Sequence, residues 1–450
     1  MRKTAKYWLK KLYRHSFSFK RYYRQIEQIS QLDPIELHRY QNAQLQQVVS
    51  YCAHKVPFYK SLFKEAGIKP EHIKTTSDLK HLPILDKQVV REQFNRLTAE
   101  SWEQLFYRKA STSGSSGSPS NFLRDFQSIN FENAAIWHYW NQSGDCHARR
   151  ITLRGERICP VEQTEPPFWQ YNPANNELIM SIYHLSPQSF PAYLEKIREF
   201  QPEVLYCYPS AGYLLAKLFQ DSNENYAVKY IFTSSESLEE PVRTFVEATF
   251  HCEIHDWYGQ AERVAAIAQC RKGNYHIQEH YSWVELTENN DGYEIIGTTF
   301  HNRAMPLLRY RTHDTVLPLE TPCPCRSPYR AIRKIIGRPA AYLSAPDGRR
   351  IPNVQSLIMR DVDHILESQI YQDHISGFEI RLVTNGQFSE QDRQRLLQQA
   401  KRHTAPGMQI DIVEVPEIPR GPNGKFQSLI NLAEASDTPK QALLCGTGAS

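Results

Sequence analysis

Between residues 151 and 258, short apolar runs alternate with helical patterns. The runs are Ile151-Thr152-Leu153, Leu178-Ile179-Met180-Ser181-Ile182, Val204-Leu205-Tyr206-Cys207-Tyr208, Tyr230-Ile231-Phe232-Thr233 and Ile254-His255-Asp256-Trp257-Tyr258. Helical spacing fills 189–200, 210–219 and about 239–249 between them. Runs this apolar, separated by helices, predict strands of an α/β sheet buried on both faces. With 450 residues the chain can bury a large core and is expected to hold two domains.

The rest of the chain is read around that sheet. Residues 1–30 are basic and aromatic, and are expected to form an amphipathic helical extension packed on its own domain. A membrane surface is the less favoured partner for it. Helical spacing covers 36–66 with a break at Pro57, and resumes over 131–142. Asn289-Asn290-Asp291-Gly292 is hairpin chemistry between Trp283–Leu286 and Tyr293–Ile296. Leu307–Arg311 and Val316-Leu317 read as strands. A change in composition near Gly337-Arg338-Pro339 marks the expected boundary. The expected architecture is therefore a large multi-layer α/β domain over 1–338, then a small mobile α+β domain over 339–434. The second domain is expected to contain a helix at 354–367, a strand at 378–383, a helix at 389–403 and a strand at 410–415. Residues 435–450 read as a disordered tail.

Net charge is +4, from 53 basic and 49 acidic residues, too balanced for a nucleic-acid binder. No run of about 18 apolar residues exists to span a membrane, and no secretory signal follows Met1-Arg2-Lys3. A reducing, cytoplasmic setting follows.

Between the helices and the sheet stands Ser111-Thr112-Ser113-Gly114-Ser115-Ser116-Gly117-Ser118-Pro119. Nine residues with five serines, a threonine and two glycines sustain neither helix nor strand. Such a loop can offer closely spaced N–H and O–H donors to an anion such as phosphate; the plainer alternative is a flexible linker. It is not the kinase-type phosphate loop, since no Gly-Lys-Ser/Thr follows. Downstream, Tyr258-Gly259-Gln260-Ala261-Glu262 closes an apolar strand. There an aromatic ring could stack on a ligand, and a carboxylate could hold its metal. Asp314, after Arg309-Tyr310-Arg311-Thr312-His313, could take ribose hydroxyls. Lys425 sits in the rigid segment Pro419–Phe426 of the second domain.

In this order and spacing the motifs resemble the adenylate-forming superfamily, in particular its phenylacetate–CoA ligase and capsule-biosynthesis (CapK-like) branch. Residues 111–119 match T-S-G-[ST]-[ST]-G-x-P, and 258–262 stand at Y-G-x-T-E. Tyr310 to Asp314 stand at Y-x-T-G-D, Gly337-Arg338 at the interdomain G-R-x-D-D, and Gly424-Lys425 at the C-terminal G-K. Ser234-Ser235-Glu236-Ser237-Leu238 resembles the turn near the adenine. Leu82–Lys87 and Val48–Tyr59 resemble the branch's N-terminal signatures.

The resemblance implies a two-step reaction: a carboxylate attacks ATP·Mg²⁺ to give an acyl adenylate, and a thiol, usually coenzyme A, displaces AMP. A carrier protein or a sugar amine as acceptor, and a non-catalytic nucleotide-binding scaffold, are the alternatives it leaves. It implies a role in surface polysaccharide or secondary metabolism. It assigns the phosphates to Ser111, Thr112, Ser113, Gly114, Ser115, Ser116 and Gly117. The nucleotide goes to Ser235, Glu236, Ser237, Asp256, Trp257, Tyr258, Gly259, Asp314 and Arg338. Magnesium goes to Glu262, and charge compensation in adenylation to Lys425. Three departures stand out: Ala261 for threonine, His313 for glycine, and Pro339-Ala340-Ala341 at the hinge.

Nine cysteines form no regular framework. Four side chains nevertheless have ligand chemistry: Cys270, His276, Cys323 and Cys325 suit a tetrahedral structural zinc, with His280 a competing imidazole. Ordinary thiols are the alternative, although the branch carries a similar pattern. Trp137, Trp140, Tyr206, Tyr208, Ser234 and Trp257 are the candidates for the acyl pocket, against plain core packing for each. His138 and His255 read as structural.

Overall fold

The computed structural model describes residues 2–111, 120–144, 147–160, 163–337, 342–346, 350–352, 354–359, 362–420 and 426–433. The chain divides into two compact units near residue 340. No helix among the described residues is long and apolar enough to cross a membrane.

The first unit opens with helices Arg2–Arg14, Phe17–Ile29, Pro34–Lys55 and Pro57–Glu65. Pro57 separates the last two, as its missing N–H and fixed φ require. The basic N-terminal helices dock on their own unit. Tyr7 donates to Gln170 at 2.7 Å, Lys10 pairs with Glu156 at 3.1 Å, and Tyr22 donates to Gln127 at 2.7 Å. Trp8, Leu9 and Leu12 stay exposed.

A hairpin follows, β1 (Arg108–Ser111) and β2 (Asn121–Arg124), with Ser111 opposite Asn121. The Ser/Gly segment is therefore the hairpin's connection, and residues 112–119 themselves lie outside the described residues. Asp125, directly after β2, caps helix Phe126–Ser143 through Ser128 N at 2.7 Å. Its second carboxylate oxygen accepts from Arg303 N at 2.5 Å and Ala304 N at 3.2 Å. One buried carboxylate thus fixes where the hairpin leaves the domain.

Twelve strands then form one sheet. In chain order they are β3 (Arg150–Arg154), β4 (Trp169–Asn172), β5 (Glu177–Ser181), β6 (Val204–Cys207), β7 (Tyr230–Ser234), β8 (Ile254–Gly259), β9 (Ala266–Gln269), β10 (Tyr275–Ile277), β11 (Ser282–Asn289), β12 (Gly292–Thr299), β13 (Tyr310–Pro318) and β14 (Ala331–Gly337). Their spatial order is β11-β12-β13-β14-β10-β9-β8-β7-β6-β3-β5-β4. The five strands β5, β3, β6, β7 and β8 pair in parallel. Helix Phe126–Ser143 covers the face carrying Phe232 and Trp257. Helix Pro209–Asp221 covers the other, where Gly212 approaches Cys207 Sγ. From β8 onward every pairing is antiparallel.

The second unit carries hairpin β15 (Tyr342–Ser344) and β16 (Arg350–Pro352), and the strands β17 (Ile365–Gln372), β18 (Gly377–Thr384), β19 (Gln409–Glu414) and β20 (Leu429–Asn431). The four last strands form a sheet in the order β19-β18-β17-β20. Helix Glu390–His403 lays Leu396 and Ala400 on it, against Ile370, Phe378 and Ile380. The helix expected over 354–367 is corrected: only Val354–Ile358 is helical, and 365–372 is strand β17. His364 in the left-handed region, φ 64°, reverses the chain before β17. The apolar residues beyond it pack on a pleated face rather than a helical one. The expected tail at 435–450 lies outside the described residues.

Gly297 on β12 is where the antiparallel strands fold closest upon the first sheet. A Cβ built there would stand 2.2 Å from the carbonyl oxygen of Val264, a backbone atom that has no rotamer to move. Gly297→Ala is expected to cost about 2–3 kcal/mol through overpacking. The check is the first unit's denaturant midpoint; Gly273→Ala, where a Cβ meets no atom within 4 Å but φ is +80°, reports the cost of a left-handed backbone alone.

Candidate active site

The five parallel strands end on one edge, where the chain leaves the core and a ligand crevice is expected. Tyr258 and Gly259 end β8, and the turn beyond them leads to Glu262. Arg124 pins this turn: its Nε and Nη2 donate to Ala261 O at 3.0 and 2.6 Å. Burial, then the neighbouring Arg263, pull the Arg124 pKa down to about 10. Because Arg124 ends β2, the stem of the Ser/Gly connection and the Tyr-Gly-x-x-Glu turn are held against each other.

Tyr258 Oη donates to Asp314 Oδ2 at 2.6 Å. Burial, and then the Asp314 charge, push the Tyr258 pKa well above the phenol range, so the ring keeps its proton and remains a donor. Glu262 is buried and accepts from Tyr310 Oη at 3.1 Å. Tyr258, Glu262 and Asp314 are thus brought together, with Tyr310 as a positioning residue not anticipated from sequence. Its place in the Tyr310–Asp314 motif was the available signal.

Ser235 takes φ 76°, a strained geometry for a residue with a side chain. Its Oγ accepts from Arg154 Nη2 at 2.7 Å. Glu236 accepts from Ser210 N at 3.0 Å, at the start of helix Pro209–Asp221. Gly337 comes close to Ser237: a Cβ there would lie 3.1 Å from Ser237 Oγ, at φ 82°. Asp256 is placed deeper than the sequence suggested. Its two oxygens accept from Thr233 at 2.6 Å and Tyr275 at 3.0 Å, and it ties β8 to β7 and β10. Trp257 is buried among Tyr139, Phe232 and Ala268. His313 stands at φ 61°, which explains a glycine preference at this position. Its imidazole reaches Asp86 at 3.1 Å and Glu294 at 3.5 Å.

Of the acyl-pocket candidates, Tyr206, Tyr208 and Ser234 lie at the strand ends. Trp140 stacks on Phe232 at 4.8 Å, and Trp137 packs edge-on to His15 at 4.4 Å, both as core residues. His138 and His255 are buried, and burial lowers both pKa values. The side chain of Ser111, residues Thr112, Ser113, Gly114, Ser115, Ser116 and Gly117, the hinge from Arg338 to Ala341, and Lys425 lie outside the described residues.

Away from this edge, the ligand atoms of Cys270, His276, Cys323 and Cys325 lie within 4.8 Å of one another. Cys270 Sγ and Cys323 Sγ are 3.7 Å apart, too far for a disulfide. Tetrahedral zinc with Zn–S near 2.3 Å would set two thiolates about 3.8 Å apart. Cys325 Sγ is 3.2 Å from His276 Nε2, whose Nδ1 lies 3.0 Å from Tyr329 O. That second contact fixes the ring as zinc-binding histidines usually require. His280 is excluded from the cluster: it is buried, with Nδ1 2.9 Å from Tyr329 Oη.

A partly parallel sheet followed by a small α+β unit is the fold of two-domain adenylate-forming ligases. Comparison with known proteins agrees. Residues 343–432 match the CapK C-terminal domain. Protein CapK of Staphylococcus aureus is 26% identical over 420 residues, covering 92% of each chain. Phenylacetate-coenzyme A ligase of Thermus thermophilus is 22% identical over 452 residues, covering 88% of this chain and 97% of that protein. A 2-hydroxyisobutyryl-CoA ligase in its postadenylation state shares the fold, with a TM-score of 0.69 and 15% identity over 91% of this chain and 92% of its own. Over residues 343–432 the chain carries a CapK C-terminal domain, and along most of its length it is similar to CapK and to phenylacetate–CoA ligases.

If Arg124 holds the 259–263 turn, Arg124→Met should speed amide hydrogen exchange at 260–264 by about tenfold to a hundredfold. Exchange in β5 and β6 should be unchanged. Unaltered exchange at the turn would remove that role.

Proposed function

We propose that the protein is an AMP-forming ligase that activates a carboxylic acid with ATP and passes the acyl group to coenzyme A. The observation that carries this reading is the Tyr258–Asp314 and Tyr310–Glu262 pair of hydrogen bonds beside the stem of the Ser/Gly connection. Asp314, oriented by Tyr258, accepts the ribose hydroxyls. The Ser111–Gly117 segment, Ser235 to Ser237, Gly259 and Arg338 surround the rest of the nucleotide. Asp256 and Trp257 support this wall from within. Glu262 is the residue that would hold magnesium, which supplies charge neutralisation at the phosphates when bound.

In the first step a carboxylate oxygen forms a bond to the α-phosphorus while the bond to the β-phosphate oxygen breaks and pyrophosphate leaves. Lys425 would supply an ammonium beside the oxygens where charge accumulates. In the second step the thiolate of coenzyme A attacks the acyl carbon and AMP leaves. The likeness to phenylacetate-coenzyme A ligases supports this acceptor.

The direct test is carboxylate-dependent ATP–pyrophosphate exchange. Glu262→Gln and Lys425→Ala should each lower kcat by about 10²–10³, equivalent to roughly 3–4 kcal/mol of barrier, while ATP still binds. Exchange at the wild-type rate in both variants, or none with any acid in protein that binds ATP, overturns the reading.

For the cysteine–histidine cluster we infer a structural zinc. Its support is four ligand atoms within 4.8 Å of one another with an oriented histidine. One zinc per chain is expected by elemental analysis of gently purified protein. Cys323→Ser should lose it and lower the thermal midpoint, whereas a stoichiometry near zero in the unaltered protein rules the site out.

A further inference from the structure

Two arginines on β3 have opposite surroundings. Arg150 pairs with Glu177 at 3.2 Å. Arg154, at the carboxyl end of the same strand, has no carboxylate within 4.0 Å among the described residues. Its sequence neighbour Glu156 is engaged by Lys10.

The groups around Arg154 are hydroxyls and rings. The guanidinium lies over Tyr206 at 4.6 Å and Tyr208 at 4.9 Å. Nη1 donates to Tyr206 Oη, and Nη2 to Ser235 Oγ at 2.7 Å. Tyr206 Oη is 3.4 Å from Ser234 Oγ, which is 3.4 Å from Ser235 Oγ. Nε is buried without a partner. Burial works against the charge, but the two tyrosines, with a smaller contribution from the Glu156 carboxylate, outweigh it and hold the pKa above the ordinary arginine value.

The position of this cation matters. It stands on the same strand edge as the Ser234–Ser237 turn and touches that turn directly. From β8 the order runs β7, β6, β3, so Arg154 lies on the side of the turn opposite Tyr258. The nucleotide wall is on one side and the cation, in a cage of hydroxyls, on the other. A desolvated guanidinium with no ion pair among the described residues, and only the half-exposed Glu156 charge nearby, is costly to keep for packing alone. An anionic ligand group would remove that cost.

We propose that Arg154, with Tyr206, Ser234 and Ser235, receives a second carboxylate on the acid being activated. The preferred substrate is then a dicarboxylic acid rather than a neutral aryl or alkyl acid. This rests on the acid-activating reading above. Arg154 sets specificity and takes no part in bond making.

The test uses matched acids in the ATP–pyrophosphate exchange assay: adipate against hexanoate, and isophthalate against benzoate. Wild-type kcat/KM should favour the dicarboxylate of at least one pair by tenfold or more. Arg154→Gln should lower that value by about a hundredfold, as expected for losing a charged partner, and bring the ratio near one. Arg154→Lys should restore part of the preference. Wild-type preference for the neutral members overturns the proposal while leaving acid activation intact. An equal loss on both members of a pair shows a structural role and also overturns it. If no acid supports exchange, titration calorimetry with adipate and isophthalate decides: absent binding, or binding that Arg154→Gln leaves unchanged, overturns the proposal.

Discussion

The hydrogen bond from Tyr258 to Asp314 sets a requirement on the whole first unit. The two residues sit on β8 and β13, which are four strand steps apart in the sheet. In a flat sheet that separation is about 19 Å, yet their side chains meet at 2.6 Å. The antiparallel half must therefore curl back over the end of the parallel half. Gly297 is one consequence, since the curled strands bring β12 onto the backbone of Val264. The left-handed His313 and the shifted register between Glu294 and Ile296 are others, because a strand bending this sharply needs a bulge.

This curvature divides the labour within the site. The parallel half supplies strand ends and the turns that follow them, and each turn is fixed by a charged group of its own. Arg124 holds the 259–263 turn, Glu236 anchors to the start of helix Pro209–Asp221, and Asp125 anchors the stem of the Ser/Gly connection. The antiparallel half contributes Asp314 and Tyr310 from a single strand. Neither half alone holds the Tyr258–Asp314 and Tyr310–Glu262 contacts.

The parts legible in the sequence were those that depend on neighbours along the chain. Apolar runs gave the parallel strands, Pro57 the helix break, and Asn-Asn-Asp-Gly the β11–β12 turn. Groups that act across the fold were not legible. Arg124 looks like any strand-end arginine until its partner 137 residues away is seen. Asp256 reads as a crevice residue from its place beside Tyr258, but Thr233 and Tyr275 draw its carboxylate into the sheet. The stretch 354–367 has helical spacing, and tertiary pairing with β18 overrides it beyond His364. The lack of a close carboxylate at Arg154 among the described residues is equally invisible, because its hydroxyl partners come from other strands.

The cysteine–histidine cluster belongs to the same mechanical problem. Cys270 follows β9 and His276 lies on β10, while Cys323 and Cys325 sit in the connection from β13 to β14. A zinc held by these four, as proposed above, would join the β9–β10 turn to the segment leaving β13. That is the strand whose opening residues include Tyr310 and Asp314. Closing a loop of about fifty residues removes several kcal/mol of chain entropy from the unfolded state. Much of that constraint falls on β13, the strand that must bend to meet Tyr258. The cluster lies away from the Tyr258 edge, so a zinc bound there, as proposed above, would act on the site only by holding the curl that brings Asp314 into place.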